Sequence, residues 1–236
     1  MRCALVGAGV TPRAVRDVRA VDATALADVA ARVRACTRCG LCQGRTNAVP
    51  GEGSGASRIL LVGEAPGRNE DKTGRPFCGA AGKVLDQALA EARILRADAF
   101  VTSIVKCRPP GNRDPTPAEK EACRPYLLEQ VEALRPRVLV ALGRHGLHGL
   151  QGGIATDFAS LAGTFQSTPF GIPVFVSLHP AAVIYRQKWK PAFFGHWRDF
   201  GGWLRGEGPA GFGPEGMPAP PAPPAPPVSP RRPAGS

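Results

Sequence analysis

The chain has 236 residues, 43% of them apolar, and a formal net charge of +11 from 30 Lys and Arg against 19 Asp and Glu. That length suits one α/β domain with extensions, and that apolar share supports a real core. No apolar run approaches the roughly 20 residues that a membrane-spanning helix needs, so no membrane partner is expected; the charge favours a polyanionic partner, nucleic acid first.

The first stretch, MRCALVGAGVTPRAVRDVRAV, is poorly patterned, and residues 1–21 read as a flexible arm. It is too short in apolar residues and too rich in Arg for a signal peptide, which predicts a cytoplasmic protein. Residues 22–35 place Leu26, Val29, Ala30 and Val33 on one helical face. Four short apolar runs follow: 59–62, 99–105, 137–142 and 173–178. Each is β-branched or aromatic and nearly all apolar, as in strands buried on both faces. Helices are predicted between them at 79–93, 116–134 and 143–150, with a last one at 191–205. The second opens on Thr116 as N-cap, Pro117 at the first position and Glu119 at the third. Alternating strands and helices give an α/β fold with a central four-stranded, mostly parallel sheet, and a ligand crevice at the strand carboxyl ends. From residue 206 onward 11 of 31 residues are Pro, which predicts a disordered, partly polyproline tail over 206–236.

The run after the first strand, VGEAPGRNEDKTGRPF at 62–77, sets Gly63, Pro66, Gly67 and Gly74 around Glu64, Glu70 and Asp71. A solvated turn is the plain reading. An active-site loop at the end of a parallel strand is the sharper one.

Seven cysteines in a cytoplasmic chain point to metal or redox chemistry before disulfides. Cys36 and Cys39 form a C-x-x-C directly after a helix. Cys107 ends a strand, and Cys123 follows 16 residues later on a helix. Thiolates can hold zinc or an iron–sulfur cluster. Zinc sites usually show two close pairs, so one close pair with two distant ligands favours the cluster. Cys42 extends the run and competes as a ligand, while Cys3 and Cys78 are isolated. A thioredoxin-like dithiol would open a helix, whereas this pair follows one. Gly79-Ala-Ala-Gly-Lys83 suggests a phosphate loop, but Phe77 stands where its first Gly is required.

Four segments together carry a resemblance: CTRC at 36–39, GEAPGRNEDKTGRPF at 63–77, VKCRPPGNRDPTPAE at 105–119 and SLHPAAVIYR at 177–186. They occur in the order and at the spacings of the family 4 uracil-DNA glycosylases, the iron–sulfur class, which the chain resembles over residues 22–205. The resemblance implies a three-layer α/β/α fold and a monofunctional enzyme that flips uracil out of single- or double-stranded DNA. That enzyme hydrolyses the N-glycosidic bond as a monomer. It implies Cys36, Cys39, Cys107 and Cys123 as ligands of a structural [4Fe-4S] cluster, with zinc as the alternative. Gly63, Glu64 and Ala65 match the segment that lines the uracil pocket and water site, Glu70 its second acid, and Phe77 the ring stacked on the flipped base. Asn112 matches an asparagine near the pocket and His179 the last-motif histidine. Ala181 to Arg186 match a loop that enters the duplex, with Ala182, Val183, Ile184, Tyr185 and Arg186 expected at the DNA. Ser103 departs from the family, where an asparagine commonly pairs with the uracil edge. A single hydroxyl cannot make that two-point contact, so hypoxanthine or xanthine is an alternative target. A non-catalytic iron–sulfur module that binds nucleic acid is the alternative from another class.

The chemistry asks for these residue types. An apolar wedge from Val183, Ile184 and Tyr185 would hold the gap left by the flipped base. Phe77 offers a π face worth about 1–3 kcal/mol. A neutral His179 N–H, or backbone N–H groups of the 63–67 loop, would stabilise charge on the departing base by about 3–4 kcal/mol. Glu64 is the first choice for the carboxylate beside the sugar, with Glu70 or Asn112 as alternatives. Lys106, Arg108, Arg113 and Arg186 are expected at phosphates.

Overall fold

The structure, a computed structural model, describes residues 20–152, 158–208 and 213. Most of the expected N-terminal arm and nearly all of the Pro-rich tail, Cys3 included, lie outside the described residues. In chain order the elements are α1 (Ala23–Ala35), α2 (Leu41–Gly44), β1 (Ile59–Gly63), α3 (Arg68–Thr73), α4 (Ala80–Glu91), β2 (Phe100–Ser103), α5 (Pro117–Leu134), β3 (Val138–Leu142), α6 (Gly143–Gln151), α7 (Phe158–Leu161), β4 (Phe165–Gln166), β5 (Val174–Ser177), α8 (Pro180–Tyr185) and α9 (Lys190–Leu204). Among the described residues no helix is long and apolar enough to cross a membrane.

The sheet has the order β2-β1-β3-β5-β4. Its first four strands are parallel, as the four apolar runs predict. The fifth, β4, is a two-residue antiparallel edge against β5, too short to leave a periodic signal. Alternation explains why the strands read as unbroken apolar runs. Ile59, Leu61, Val138 and Val140 face a layer built by Leu85 and Leu89 of α4 and Phe193, Trp197 and Phe200 of α9. Leu60, Val62, Leu139 and Ala141 face Leu127, Val131 and Leu134 of α5 and Leu147 and Leu150 of α6. Both faces are covered, giving three layers.

Local signals set the helix ends. The Asp22 carboxylate caps α1 through the Ala25 N–H at 2.9 Å. Thr116 and Glu119 form the reciprocal capping box at the start of α5. The segment 181–186 is a correction to the expected loop: Pro180 opens α8 directly after the cap residue His179. On that helix Val183 is fully buried against the α4 and α9 layer. It therefore supports the core and cannot wedge DNA, whereas Tyr185 is 86% exposed.

The strand order reverses beside β1. The chain passes from β1 outward to β2, then crosses back to lay β3 on the other side of β1. The loop after β1 and the helix after β3 therefore part at the carboxyl end of the sheet. In parallel sheets that is where ligands bind.

Candidate active site

Four residues close the first half of the crevice. Gly63 ends β1, and a Cβ placed there would stand 2.6 Å from the Phe77 ring and 3.5 Å from the Ser103 hydroxyl. Glycine thus lets the ring lie against the strand end. The Phe77 ring centroid is 5.8 Å from that of His179. Phe77 itself takes a left-handed backbone, with φ of 48°, a conformation that costs an L-residue roughly 1–2 kcal/mol.

Glu70 holds that strained turn. One carboxylate oxygen accepts the Cys78 and Gly79 N–H groups at 3.0 and 3.1 Å, and the other accepts Gly67 N–H at 3.1 Å. With both oxygens so engaged, Glu70 braces the loop. Asp71 is buried and accepts the Thr46 and Asn47 N–H groups, tying the loop to the cysteine-bearing segment. Glu70 and Asp71 are therefore anchors of the loop.

His179 accepts the Ala181 N–H on Nδ1 at 3.2 Å. That bond leaves the proton of the neutral ring on Nε2. Burial pushes the imidazole down to about 4, with the His145 charge adding to the effect and Glu70 opposing it. The ring is thus a neutral N–H donor at physiological pH.

Glu64 follows Gly63 and belongs to the second half of the crevice. Its side chain is 24% exposed, and His145 Nε2 stands 3.6 Å from its Oε1. That oxygen is buried without a hydrogen-bond donor. Burial, aided by the Asp114 charge, pushes the Glu64 carboxyl up to about 7, against the pull of Lys120 and Arg144.

The remaining expected residues divide. Asn112 is exposed, and its amide oxygen accepts from Arg108 Nε at 2.7 Å; it makes no described contact with Glu64 or Phe77. Lys106 is a correction. It is 1% exposed, with Nζ donating to Thr102 Oγ1, the Ser103 carbonyl and Gln130 Oε1, each at 2.7 Å. It cannot reach a phosphate and instead fixes the end of β2. Arg113 is paired with Glu119. Arg186 lies exposed, 4.4 Å above the Trp189 ring.

Cys36, Cys39, Cys107 and Cys123 line one pocket with Cys42, between α1, α2 and α5. None of them is in a disulfide. Their surroundings suit bound thiolates: Arg45 Nη1 donates to Cys107 Sγ at 3.1 Å, and Lys106 N–H to Cys123 Sγ at 3.3 Å. Burial pushes the Cys123 thiol up to about 11, so ionisation there calls for a cationic partner such as a metal. Among the described residues, the one trio of His, Cys, Asp or Glu with ligand atoms within 4.8 Å of one another is Glu64, Asp114 and His145. No three of these sulfurs are that close.

Residues 50–200 match a protein family described as the uracil DNA glycosylase superfamily. The chain belongs to the uracil-DNA glycosylase superfamily. It is similar to the type-4 uracil-DNA glycosylase of Archaeoglobus fulgidus, 40% identical over 182 residues covering 75% of this chain and 92% of that protein. It is 46% identical to the type-4 enzyme of Sulfurisphaera tokodaii over 160 residues, or 65% of this chain and 73% of that protein. Similarity to the type-5 uracil-DNA glycosylase of Pyrobaculum aerophilum is lower, 33% identity over 150 residues, 57% of this chain and 66% of that one. The matched span of this glycosylase-family chain contains the strand ends, Glu64, Phe77, His145 and His179.

Three features of this uracil-DNA glycosylase-family site escape motif reading. His145 and Asp114 flank Glu64, and the only local hint was that His145 follows a strand end by three residues. Gly82 resembles part of a phosphate loop, yet its role is steric: a Cβ there would stand 1.8 Å from the Phe77 carbonyl oxygen. Gly82→Ala must push the ring-bearing turn away. Overpacking of this kind costs about 1–3 kcal/mol. The variant is expected to melt earlier in denaturant and to raise KM for uracil-containing DNA; a wild-type melt with unchanged KM would show that the turn yields freely.

Proposed function

We propose that this chain excises uracil from DNA by hydrolysing its N-glycosidic bond, with Glu64, Phe77 and His179 at the reacting nucleotide. The observation that carries the reading is the closure of Phe77, Ser103 and His179 round Gly63, beside the Glu64 carboxylate at the sheet's switch point. A flipped base stacks on the Phe77 ring. As the bond breaks, its electron pair leaves with the base. The neutral His179 Nε2–H donates to the base oxygen on which charge grows. The ionised Glu64 favours the positive sugar and accepts a proton from the attacking water, whose oxygen bonds to the sugar carbon. The products are free uracil and an abasic site.

Duplex contact falls to the exposed end of α8. Ile184 and Tyr185 fill the gap in the stack, Ala182 lies behind them, and Arg186 positions a phosphate. Cys36, Cys39, Cys107 and Cys123 hold a [4Fe-4S] cluster in this reading, favoured over zinc by one close cysteine pair with two distant partners along the chain. When bound, the cluster cross-links the segments that carry these cysteines. The protein acts as a monomer on genomic DNA in the cytosol.

Release of free uracil from U·G, U·A and single-stranded oligonucleotides tests the proposal directly. Tight binding with no base released would make the chain a non-catalytic module. Ser103 supports a second reading, because its lone hydroxyl at the pocket wall reads a base edge by one contact only. Hypoxanthine and xanthine substrates assayed in parallel separate the two. Phe77→Ala is expected to lower kcat/KM on uracil DNA by about 10- to 100-fold, the 1–3 kcal/mol of a lost base–aromatic stack. Affinity for undamaged DNA should change little; equal losses in both would assign the ring to the core.

A further inference from the structure

His145 occupies a position that neither the motifs nor the mechanism above uses. It sits on the first turn of α6, directly after β3. Two glycines put it there. Gly143 takes φ of 87°, and a Cβ on it would stand 2.9 Å from His179 Cβ. Gly146 lets α6 press on β1, since a Cβ there would stand 2.3 Å from the Val62 carbonyl oxygen. The helix is thereby wedged between the ends of β1 and β5, and its imidazole meets Glu64.

Two carboxylates converge on one nitrogen. His145 Nε2 is 3.2 Å from Asp114 Oδ2 and 3.6 Å from Glu64 Oε1. Asp114 is well exposed, whereas Glu64 Oε1 is buried and lacks any donor. A neutral ring has one N–H at Nε2 to offer, and the shorter distance gives it to Asp114. A protonated ring carries a charge that serves both.

We propose that His145 is a positioning residue for Glu64: its imidazole shares a proton with the Glu64 carboxyl, and Asp114 on its other side favours the protonated ring, so that Glu64 is held ionised at the crevice. The proposal rests on the assignment of Glu64 to the sugar side made above. The charged groups facing this pair are Asp114, Lys120 and Arg144 for Glu64, and the same three with His148 for His145. His179 also feels the His145 charge. Asp114 alone among them favours a proton on the imidazole. Lys120 and Arg144 favour the anion on Glu64. Burial opposes charge on both partners, pushing the imidazole below its ordinary value and the carboxyl up to about 7. Opposite charges at this distance favour the carboxylate, so the pairing works against the burial that raises Glu64. The two groups then titrate as one coupled pair.

His145→Gln keeps an amide donor and removes the charge. Single-turnover uracil release by the purified protein, followed from about pH 5 to 9, should show the acid limb moving alkaline by about one unit. The loss relative to wild type should be about tenfold in mildly acid solution and shrink as the pH rises. An unmoved acid limb, or the same loss at every pH, overturns the proposal. A second readout does not depend on activity. The His145 ring, followed by NMR, should titrate about one unit lower in Glu64→Gln, where its anionic partner is gone. If Glu64→Gln is inactive and the His145 titration does not move, the coupling alone fails. If Glu64→Gln releases uracil at the wild-type rate, the assignment of Glu64 fails and the proposal falls with it.

Discussion

Glu64→Gln is expected to lower the single-turnover rate of uracil release by about 100- to 1,000-fold while binding uracil-containing DNA nearly as well as wild type. The amide keeps the shape of the side chain and removes its charge. A rate loss without an affinity loss marks an interaction made in the transition state, where the sugar becomes positive. The same substitution should stabilise the protein. Burial raises the carboxyl from 4.5 to about 7, so between those values the folded chain binds more protons than the unfolded one. Stability therefore falls as pH rises through that window and stays low above it. An uncharged amide escapes the loss and should gain about 1–3 kcal/mol near neutral pH, less whatever the His145 pairing returns. Chemical melts of the two proteins at about pH 8 measure it. A variant that is less stable and fully active would place Glu64 among the structural residues and move water activation to another group, with Glu70 disfavoured because both its oxygens are engaged.

The distribution of what the sequence disclosed follows from the range of the forces involved. The parallel strands were legible because burial on both faces leaves the same apolar mark at every position. The start of α5 was legible because Thr116, Pro117 and Glu119 act within one turn. The antiparallel edge β4 was not, since two residues carry no period. Pro180 after His179 is a local sign of a helix start at α8, and the turn of that helix carries Val183 to the buried side, which a loop reading does not predict. Lys106 looked like a surface cation within KCRPP. Its burial depends on Thr102 and on Gln130 from another helix, a meeting no local pattern announces. The Glu64–His145–Asp114 cluster is the same case. It joins three strand and helix ends from distant parts of the chain, and it exists because Gly146 lets one helix sit flush on one strand.

The cysteine pocket and the catalytic crevice share a wall, and that coupling makes the second large effect predictable. Val105 N–H donates to the Glu64 carbonyl at 3.1 Å and Ile104 N–H to the Gly63 carbonyl at 2.9 Å, two and three residues before Cys107. Ala65, expected at the base, packs against the hydrophobic cluster that contains Val105, Cys107, Cys123 and Tyr126. Cys123→Ser and Cys107→Ser should each abolish iron binding, measured as iron and acid-labile sulfide at about four per chain in the wild type. Without the cross-link, the melting temperature should fall by roughly 10 °C, taking about 2–4 °C per kcal/mol and a loss of about 3–5 kcal/mol. Uracil release should fall with it, because the Glu64 backbone loses its support. Cys42 lines the same pocket and Cys78 lies exposed beside Glu70; Cys42→Ser and Cys78→Ser should keep their iron. If Cys42→Ser loses iron and Cys123→Ser keeps it, the ligand set is Cys36, Cys39, Cys42 and Cys107. The buried thiol of Cys123 would then belong to the core. Stoichiometric zinc in place of iron would refute the cluster.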